Sequence, residues 1–160
     1  ARPAYRYVTN SSSPIVAAYY RARERMPSTR AALWGAGSYA LSEAGHARFG
    51  AFPPVTADDL FVDQIFLDAE KCIVSSVPVL VRTPVSTSAL LAVLSRQSRG
   101  SAEPFAQSTR SNTVRELVGT VRGLRSLFDA VVYAALSILG RRGSGHKSDT
   151  AVWERDNSSR

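Results

Sequence analysis

Strand-forming residues are scarce in this chain, and they concentrate in residues 71–83, whose sequence is KCIVSSVPVLVRT. Pro78 divides this segment into two β-rich runs, and a weaker strand pattern over residues 30–41 is interrupted by Gly35 and Gly37. An α/β sheet usually has about five or six strands, whereas only three or four short ones are predicted here. The sequence therefore predicts an α/β fold in which helices surround a small mixed sheet, itself part of a larger one.

Most of the remaining chain has helical spacing and clear helix boundaries. Ser13 followed by Pro14 predicts a helix that begins there and extends to about Met26. Helical spacing also marks four later segments: residues 42–50, 56–67, 86–100 and 113–139. We expect the last of them to break near Gly123 and residues 1–12 to be irregular.

Composition and termini limit the class of protein. Hydrophobic residues make up 44% of the 160 residues, which is enough for one compact domain. No apolar run reaches the roughly 18–20 residues of a membrane-spanning helix, and the first residues lack the apolar core of a signal peptide, so a cytoplasmic location is expected. The chain starts with Ala rather than Met, which suggests processing or a start partway through a longer product.

Charge is distributed unevenly along the chain, whose net charge is +7. Residues 1–30 carry six basic residues and one acid. Residues 31–95 carry three basic residues and six acids, and residues 96–160 carry eleven basic residues and six acids. Such basic flanks can bind nucleic acid, anionic lipid or phosphorylated small molecules. Because there is no run of five Lys or Arg residues and no aromatic RNA-binding pattern, nucleic acid is the least favoured of these partners.

Two neighbouring acids, Asp58 and Asp59, stand at the start of the predicted helix in the segment TADDLFVDQIF. Thr56 with Asp59 three residues later is close to a capping box, and acids in a first turn favour the helix dipole. A general base presented at the rim of a cleft would give the same pattern. Since neighbours on a helix point about 100° apart, the two functions can coexist.

Two further motifs leave similar alternatives open. In GAGSYALS, Gly37 and Ser38 allow a ligand to approach the backbone closely, or they form a bend before a helix. In LSRQSRG, Arg96 and Arg99 share a helix face, where they complement the helix dipole or hold a diphosphate. His46 and His146 have no partner at metal-ligand spacing, so no metal site is predicted in this chain.

An apolar stretch near the C-terminus, residues 127–142, ends in two arginines. It is too short to span a bilayer. A core helix is one interpretation, and an interfacial helix that makes peripheral contact with an anionic membrane is the other.

In this order, the glycine-rich turn, the acidic pair and Arg-x-x-Arg-Gly resemble the second half of a family 2 glycosyltransferase of actinobacterial type. The resemblance implies part of a Rossmann-like GT-A domain that is incomplete without an N-terminal half. It also implies that Asp59 is the catalytic base and Asp58 the acid preceding it. Arg96 and Arg99 would face the leaving diphosphate. Gly37 and Ser38 would line the acceptor side.

The chain departs from the family pattern in two places. Gly100 stands where the family often has Trp, and no Asp-x-Asp metal motif occurs in the chain. The resemblance therefore implies that the complete enzyme uses a divalent metal, Mg or Mn, which this chain alone does not bind. It implies a nucleotide-sugar donor, an unknown acceptor hydroxyl and an N-terminal half or split partner, without which the chain is inactive.

The expected organisation is a catalytic, acceptor-side part at 1–105, a helical region at 106–142 and a polar tail at 143–160. The alternative function is a non-catalytic basic interaction domain that binds an acidic partner or an anionic membrane surface. The two hypotheses differ in where Asp59 lies, because only the enzyme requires its carboxylate beside a cleft.

Overall fold

The computed structural model describes residues 1–54, 58–100 and 110–143, and the side chains of residues 99, 100, 110–112 and 143 lie outside the description. The elements follow in this order: β1 (Arg2–Val8), α1 (Pro14–Arg25), α2 (Pro27–Ala31), α3 (Glu43–His46), α4 (Asp58–Ile65), β2 (Ile73–Arg82), α5 (Thr87–Gly100), α6 (Arg110–Gly119) and α7 (Leu124–Gly143). A short 3-10 turn, Asp68–Glu70, precedes β2. The predicted combination of helices and a small sheet is confirmed.

Strands β1 and β2 are hydrogen-bonded in parallel and form the only sheet within the described ranges. The prediction of a mixed sheet with three or four strands is therefore wrong for this part of the chain. The prediction that residues 1–12 are irregular is also wrong, since seven of them form β1. The chain between the two strands contains α1 to α4, as the long crossover of a parallel pair requires.

Strand β2 continues through Pro78 and is one strand where the sequence predicted two. Its pairing with β1 jumps from Pro3–Val74 to Tyr5–Val79, so that Pro78 lies in a register irregularity. Proline cannot donate to a ladder, and such an irregularity is one of the few places in a sheet where it fits.

Residues 32–41 contain no strand, contrary to the sequence prediction. Gly35 and Gly37 have φ angles of +93° and +71°, which are incompatible with a continuous strand. The backbone bends there and carries the chain from α2 toward α3.

The predicted helices are largely confirmed. Ser13 caps α1, its Oγ accepting from the Val16 N–H at 3.4 Å, and Pro14 occupies the first helical position. Helix α5 agrees with the predicted segment 86–100, and the last helical region breaks before Leu124, close to Gly123. Helix α4 lies inside the predicted segment 56–67, but Thr56, the predicted cap, lies outside the described residues.

The core lies where α1, α5 and α7 meet. Helix α1 contributes Val16 and Tyr19, α5 contributes Leu90, and α7 contributes Val132 and Leu136, all of them buried. Tyr19 also stacks on the Tyr133 ring, with 4.7 Å between the ring centroids. No helix in the described part of the chain combines the length and the apolar character needed to cross a bilayer.

A buried carboxylate connects α7 to α1. Asp129 is fully buried and accepts hydrogen bonds from Arg21 at 2.7 Å and from Arg25 at 2.9 Å. Burial by itself would raise the pKa of Asp129, but the two guanidinium groups outweigh it and lower the pKa below its ordinary value. Residues 110–142 of the predicted helical region 106–142 thus pack on the first part of the chain. Residues 106–109 and residues 144–160 of the predicted tail lie outside the described residues.

Candidate functional site

The candidate site is built around the glycine turn, residues 33–37. Gly35 and Gly37 both have a left-handed backbone, with φ angles of +93° and +71°. A Cβ added at Gly35 would meet the Tyr5 ring at the ordinary distance of 3.7–3.9 Å. The backbone conformation, rather than lack of space, therefore requires glycine at position 35.

Helix α4 places Asp59 against this turn. The Oδ1 of the half-buried carboxylate accepts from the Leu60 N–H at 2.8 Å, and the nearby Gly35 N–H lowers the pKa of the group. One helical turn later, Asp63 Oδ1 accepts from the Leu33 N–H at 2.7 Å. Helix α4 therefore holds the glycine turn through Asp63 and places Asp59 beside it.

The surroundings of Asp59 make its carboxylate a stronger proton acceptor than a solvated aspartate. Burial raises the pKa of Asp59 above its ordinary value of 3.8, the N–H groups of Leu60 and Gly35 oppose the shift, and the charge of Asp58 adds to it. A carboxylate whose charge is incompletely stabilised takes up a proton more readily than a solvated one does. The environment of Asp59 therefore suits a general base.

Asp58 has different partners from Asp59. It is exposed, and its Oδ2 accepts a hydrogen bond from the Tyr39 hydroxyl at 2.8 Å. Burial and this hydrogen bond raise the pKa of Tyr39 to about 12. The acidic pair is thus divided, as the sequence analysis allowed: Asp59 contacts the glycine turn, and Asp58 contacts the segment that follows it.

A cavity of about 90 Å³ lies on another side of Gly35. Strands β1 and β2, helices α1 and α5 and the glycine turn all contribute to its wall. The lining residues are Tyr7, Tyr19, Tyr20, Arg23, Gly35, Val81, Leu94 and Gln97. Gly35 therefore lines the cavity and also lies near Asp59.

Arg23 gives this cavity a positive charge. Its Nε donates to the Tyr7 hydroxyl at 3.0 Å, and its guanidinium lies 5.1 Å from the centroid of the Trp34 ring. No carboxylate among the described residues forms a salt bridge with Arg23. A guanidinium held by neutral groups beside a cavity can accept an anionic ligand.

A chain of hydroxyl groups fixes the position of Arg23. The Tyr7 hydroxyl donates to the Tyr5 hydroxyl at 3.3 Å, which donates to the Thr29 carbonyl at 3.3 Å. These bonds join β1 to the segment that leads into the glycine turn. The donors that remain on Arg23 are thereby held beside the cavity.

The structure brings the predicted site residues together only in part. Gly37 and Ser38 are exposed next to the residues bonded to the acidic pair. Arg96 is half-buried on α5, next to the cavity-lining Gln97, but it is not itself in the described lining. The side chain of Arg99 lies outside the described residues, so the predicted convergence of both arginines with Asp59 stays a prediction.

The sequence analysis missed Arg23 and the tyrosines around it. The signal was present in two short patterns. Tyr5 and Tyr7 share one face of a strand, and Arg23 follows Tyr20 by three and Tyr19 by four positions on a helix. What hid the signal was the prediction that residues 1–12 are irregular.

The described residues contain no cluster of three or more His, Cys, Asp or Glu side chains that could hold a metal ion. The divalent metal implied by the resemblance is expected in a longer protein rather than in this chain, so this observation does not bear on it. No family model, curated protein or solved structure matches the chain.

Proposed function

We propose that this chain is the acceptor-side part of a sugar-transferring enzyme, and more specifically of an inverting glycosyltransferase in which Asp59 is the general base. The observation that carries the proposal is the Asp59 carboxylate, half-buried against the Gly35 N–H with a raised pKa. Gly35 in turn borders the cavity that contains Arg23. A base and a cation that both neighbour one glycine suit transfer from a diphosphate leaving group.

The proposed reaction is a single displacement. Asp59 takes the proton of an acceptor hydroxyl while the acceptor oxygen bonds to the anomeric carbon of a nucleotide sugar. The bond from that carbon to the diphosphate oxygen breaks, and the nucleoside diphosphate leaves with the bonding electron pair. Inversion follows because the oxygen attacks opposite the leaving group.

Cations would offset the charge that develops on the leaving diphosphate. Arg23 suits this role because its guanidinium lies beside the cavity without a carboxylate partner among the described residues. Arg96 is placed on the same helix as the cavity-lining Leu94 and Gln97. We retain Arg96 and Arg99 as proposed diphosphate-binding residues and add Arg23 to them.

The acceptor would approach along the exposed end of the glycine turn. Gly37 and Ser38 are exposed there, close in sequence to Tyr39, whose hydroxyl contacts Asp58. Gly37 has open space around its Cα, with no atom within 4 Å of an added Cβ. This leaves room for an acceptor hydroxyl to reach the acidic pair.

The complete enzyme would include a nucleotide-binding half and a divalent metal, Mg or Mn. The motifs seen here supply a base and a basic cavity, but no Asp-x-Asp motif occurs in the sequence. We therefore expect no transfer by this chain alone.

The experiment is the Asp59→Asn substitution in a protein that joins this chain to its nucleotide-binding half. Release of nucleoside diphosphate from a nucleotide sugar should fall by about 10²–10⁴-fold, the usual contribution of a general base. The amide oxygen can still accept from the Leu60 N–H, so the circular dichroism spectrum should not change. Asp68→Asn is the matched control, because Asp68 is 86% exposed and lies in the 3-10 turn.

Wild-type turnover in Asp59→Asn would contradict the proposal and leave Asp59 as a structural acceptor. The rival function, a non-catalytic basic interaction domain, is favoured by one observation, the exposed arginines of α6 and α7. That rival predicts partner binding with a steep salt dependence and no response to nucleotide sugars.

A further inference from the structure

Helix α7 exposes an apolar stripe on the side opposite the core. Six large apolar side chains on this helix are each between 48% and 88% exposed: Leu124, Leu127, Phe128, Val131, Ile138 and Leu139. At 100° per residue they fall within about 120° of one another around the helix axis. The buried positions Leu136 and Asp129 lie about 120–140° from the centre of this stripe, and buried Val132 borders it. We call the six side chains the α7 outer face.

The exposed charged side chains of residues 113–142 are of one sign. Arg122 and Arg125 are exposed near the start of α7, Arg142 is exposed near its end, and Arg115 is exposed on α6. The acids of residues 113–142 are Glu116 and Asp129.

Both acids are directed inward. Asp129 is fully buried between Arg21 and Arg25. Glu116 accepts hydrogen bonds from the N–H and hydroxyl of Ser28. The outward charge of this surface is therefore positive at both ends of the apolar stripe.

We propose that the α7 outer face docks the protein on an anionic lipid bilayer, with α7 lying parallel to the membrane plane. The apolar side chains would enter the acyl boundary, and the arginines would lie at the level of the lipid phosphates. A helix of 20 residues is about 30 Å long, so one continuous flat contact would cover the whole stripe. This inference does not depend on the proposed glycosyl transfer.

Charge favours the bilayer over a second copy of the chain. Two copies that met through the α7 outer face would oppose arginines to arginines, whether the helices ran parallel or antiparallel. Like charges across an interface are unfavourable. An anionic membrane presents negative charge at every point along the helix.

The test is co-sedimentation of the full chain with two kinds of vesicle. One contains phosphatidylcholine mixed with phosphatidylglycerol, and the other contains phosphatidylcholine alone. We expect binding to the mixed vesicles that weakens as salt is added and little binding to the neutral ones.

Two double variants separate the apolar and the charged contributions. Leu127→Ser with Val131→Ser should weaken binding to the mixed vesicles by at least about tenfold, because apolar insertion is lost. Arg122→Gln with Arg125→Gln should weaken it by about fivefold per arginine, from roughly 1 kcal/mol for each charge near an anionic surface. The matched control is Val77→Ser with Leu80→Ser on β2, two positions that are 89% and 64% exposed.

All these side chains are exposed, so each variant should fold, which circular dichroism verifies. Equal binding by wild type and by the Leu127/Val131 variant would overturn the proposal, and so would an equal loss in the β2 control. Sedimentation equilibrium tests whether the α7 outer face binds a second copy of the chain instead. A wild-type dimer that this variant dissociates, with no vesicle binding by either protein, would assign the face to a second copy.

Discussion

Gly35 is the residue through which the two charged groups of the site are connected. Its N–H lies near enough to the Asp59 carboxylate to lower the pKa of that group, and Gly35 also lines the cavity beside Arg23. Its φ of +93° excludes ordinary side chains without strain. Gly35 is therefore a neighbour both of Asp59 and of the cavity that contains Arg23.

At this scale the first prediction concerns Arg23. Replacing it by Gln removes the charge from the cavity but leaves a donor that can reach the Tyr7 hydroxyl. Hydrogen bonds to charged groups contribute about 1.5–3 kcal/mol, so pyrophosphate binding should weaken by roughly 10–100-fold. Titration calorimetry of the full chain with pyrophosphate at low salt measures the difference.

Arg6→Gln is the control for this titration, because Arg6 is exposed on β1 and does not line the cavity. An equal loss in both variants would show that pyrophosphate responds to net charge only. That result would remove Arg23 from the proposed site.

At the scale of elements, the attachment of α7 to α1 depends on one carboxylate. Asp129 lies between Arg21 and Arg25, whose side chains are 35% and 32% exposed. Asp129→Asn should lower the free energy of unfolding by about 3 kcal/mol, which is the lower end of the usual cost of breaking a buried ion pair. The lower end applies because both arginines reach solvent. Urea denaturation at neutral pH measures this change.

The pH dependence of the same variant has a definite sign. The guanidinium groups lower the pKa of Asp129 below its ordinary value of 3.8 despite its burial. Its stabilising contribution is thus present above 3.8 and is lost as the pH falls through the lower folded-state value. The difference in free energy of unfolding between wild type and Asp129→Asn should therefore become smaller in acid. A difference that does not change with pH would contradict the stabilising role given to the ionised Asp129 carboxylate.

Elements with local boundary signals could be predicted from the sequence. Ser13 and Pro14 begin α1 as expected, and the break near Gly123 separates α6 from α7. Strand β1 could not be predicted in the same way because its stability comes from pairing with β2, about seventy positions away. Arg2 illustrates the difficulty: it is buried, and its guanidinium donates to main-chain carbonyls of Thr29, Arg30 and Ala32.

The candidate site, like the fold, could be predicted from the sequence only in part. Motif order suggested that the glycine turn and Asp59 belong together, and helix α4 places Asp59 near Gly35 while Asp63 bonds the Leu33 N–H of the turn. Arg23 was missed because its importance depends on Tyr7 from β1 and on Trp34 from the glycine turn. Contacts between distant segments carry no local sequence signal.

At the scale of the whole molecule, α1 serves two regions at once. Arg21 and Arg25 lie one turn apart and face Asp129 of α7, whereas Arg23 between them faces the cavity. The same helix therefore holds the basic, apolar α7 surface on one side and the candidate site on another.

The central claim is that Asp59 acts as a base with a raised pKa, and the pH dependence of transfer tests it most directly. In the complete enzyme kcat/KM should fall on the acid side as Asp59 becomes protonated, because a general base must start ionised. Burial raises the pKa of Asp59, so the account predicts an apparent pKa above the ordinary 3.8 for this fall. A fall centred at or below 3.8, or one that persists unchanged in Asp59→Asn, would contradict it.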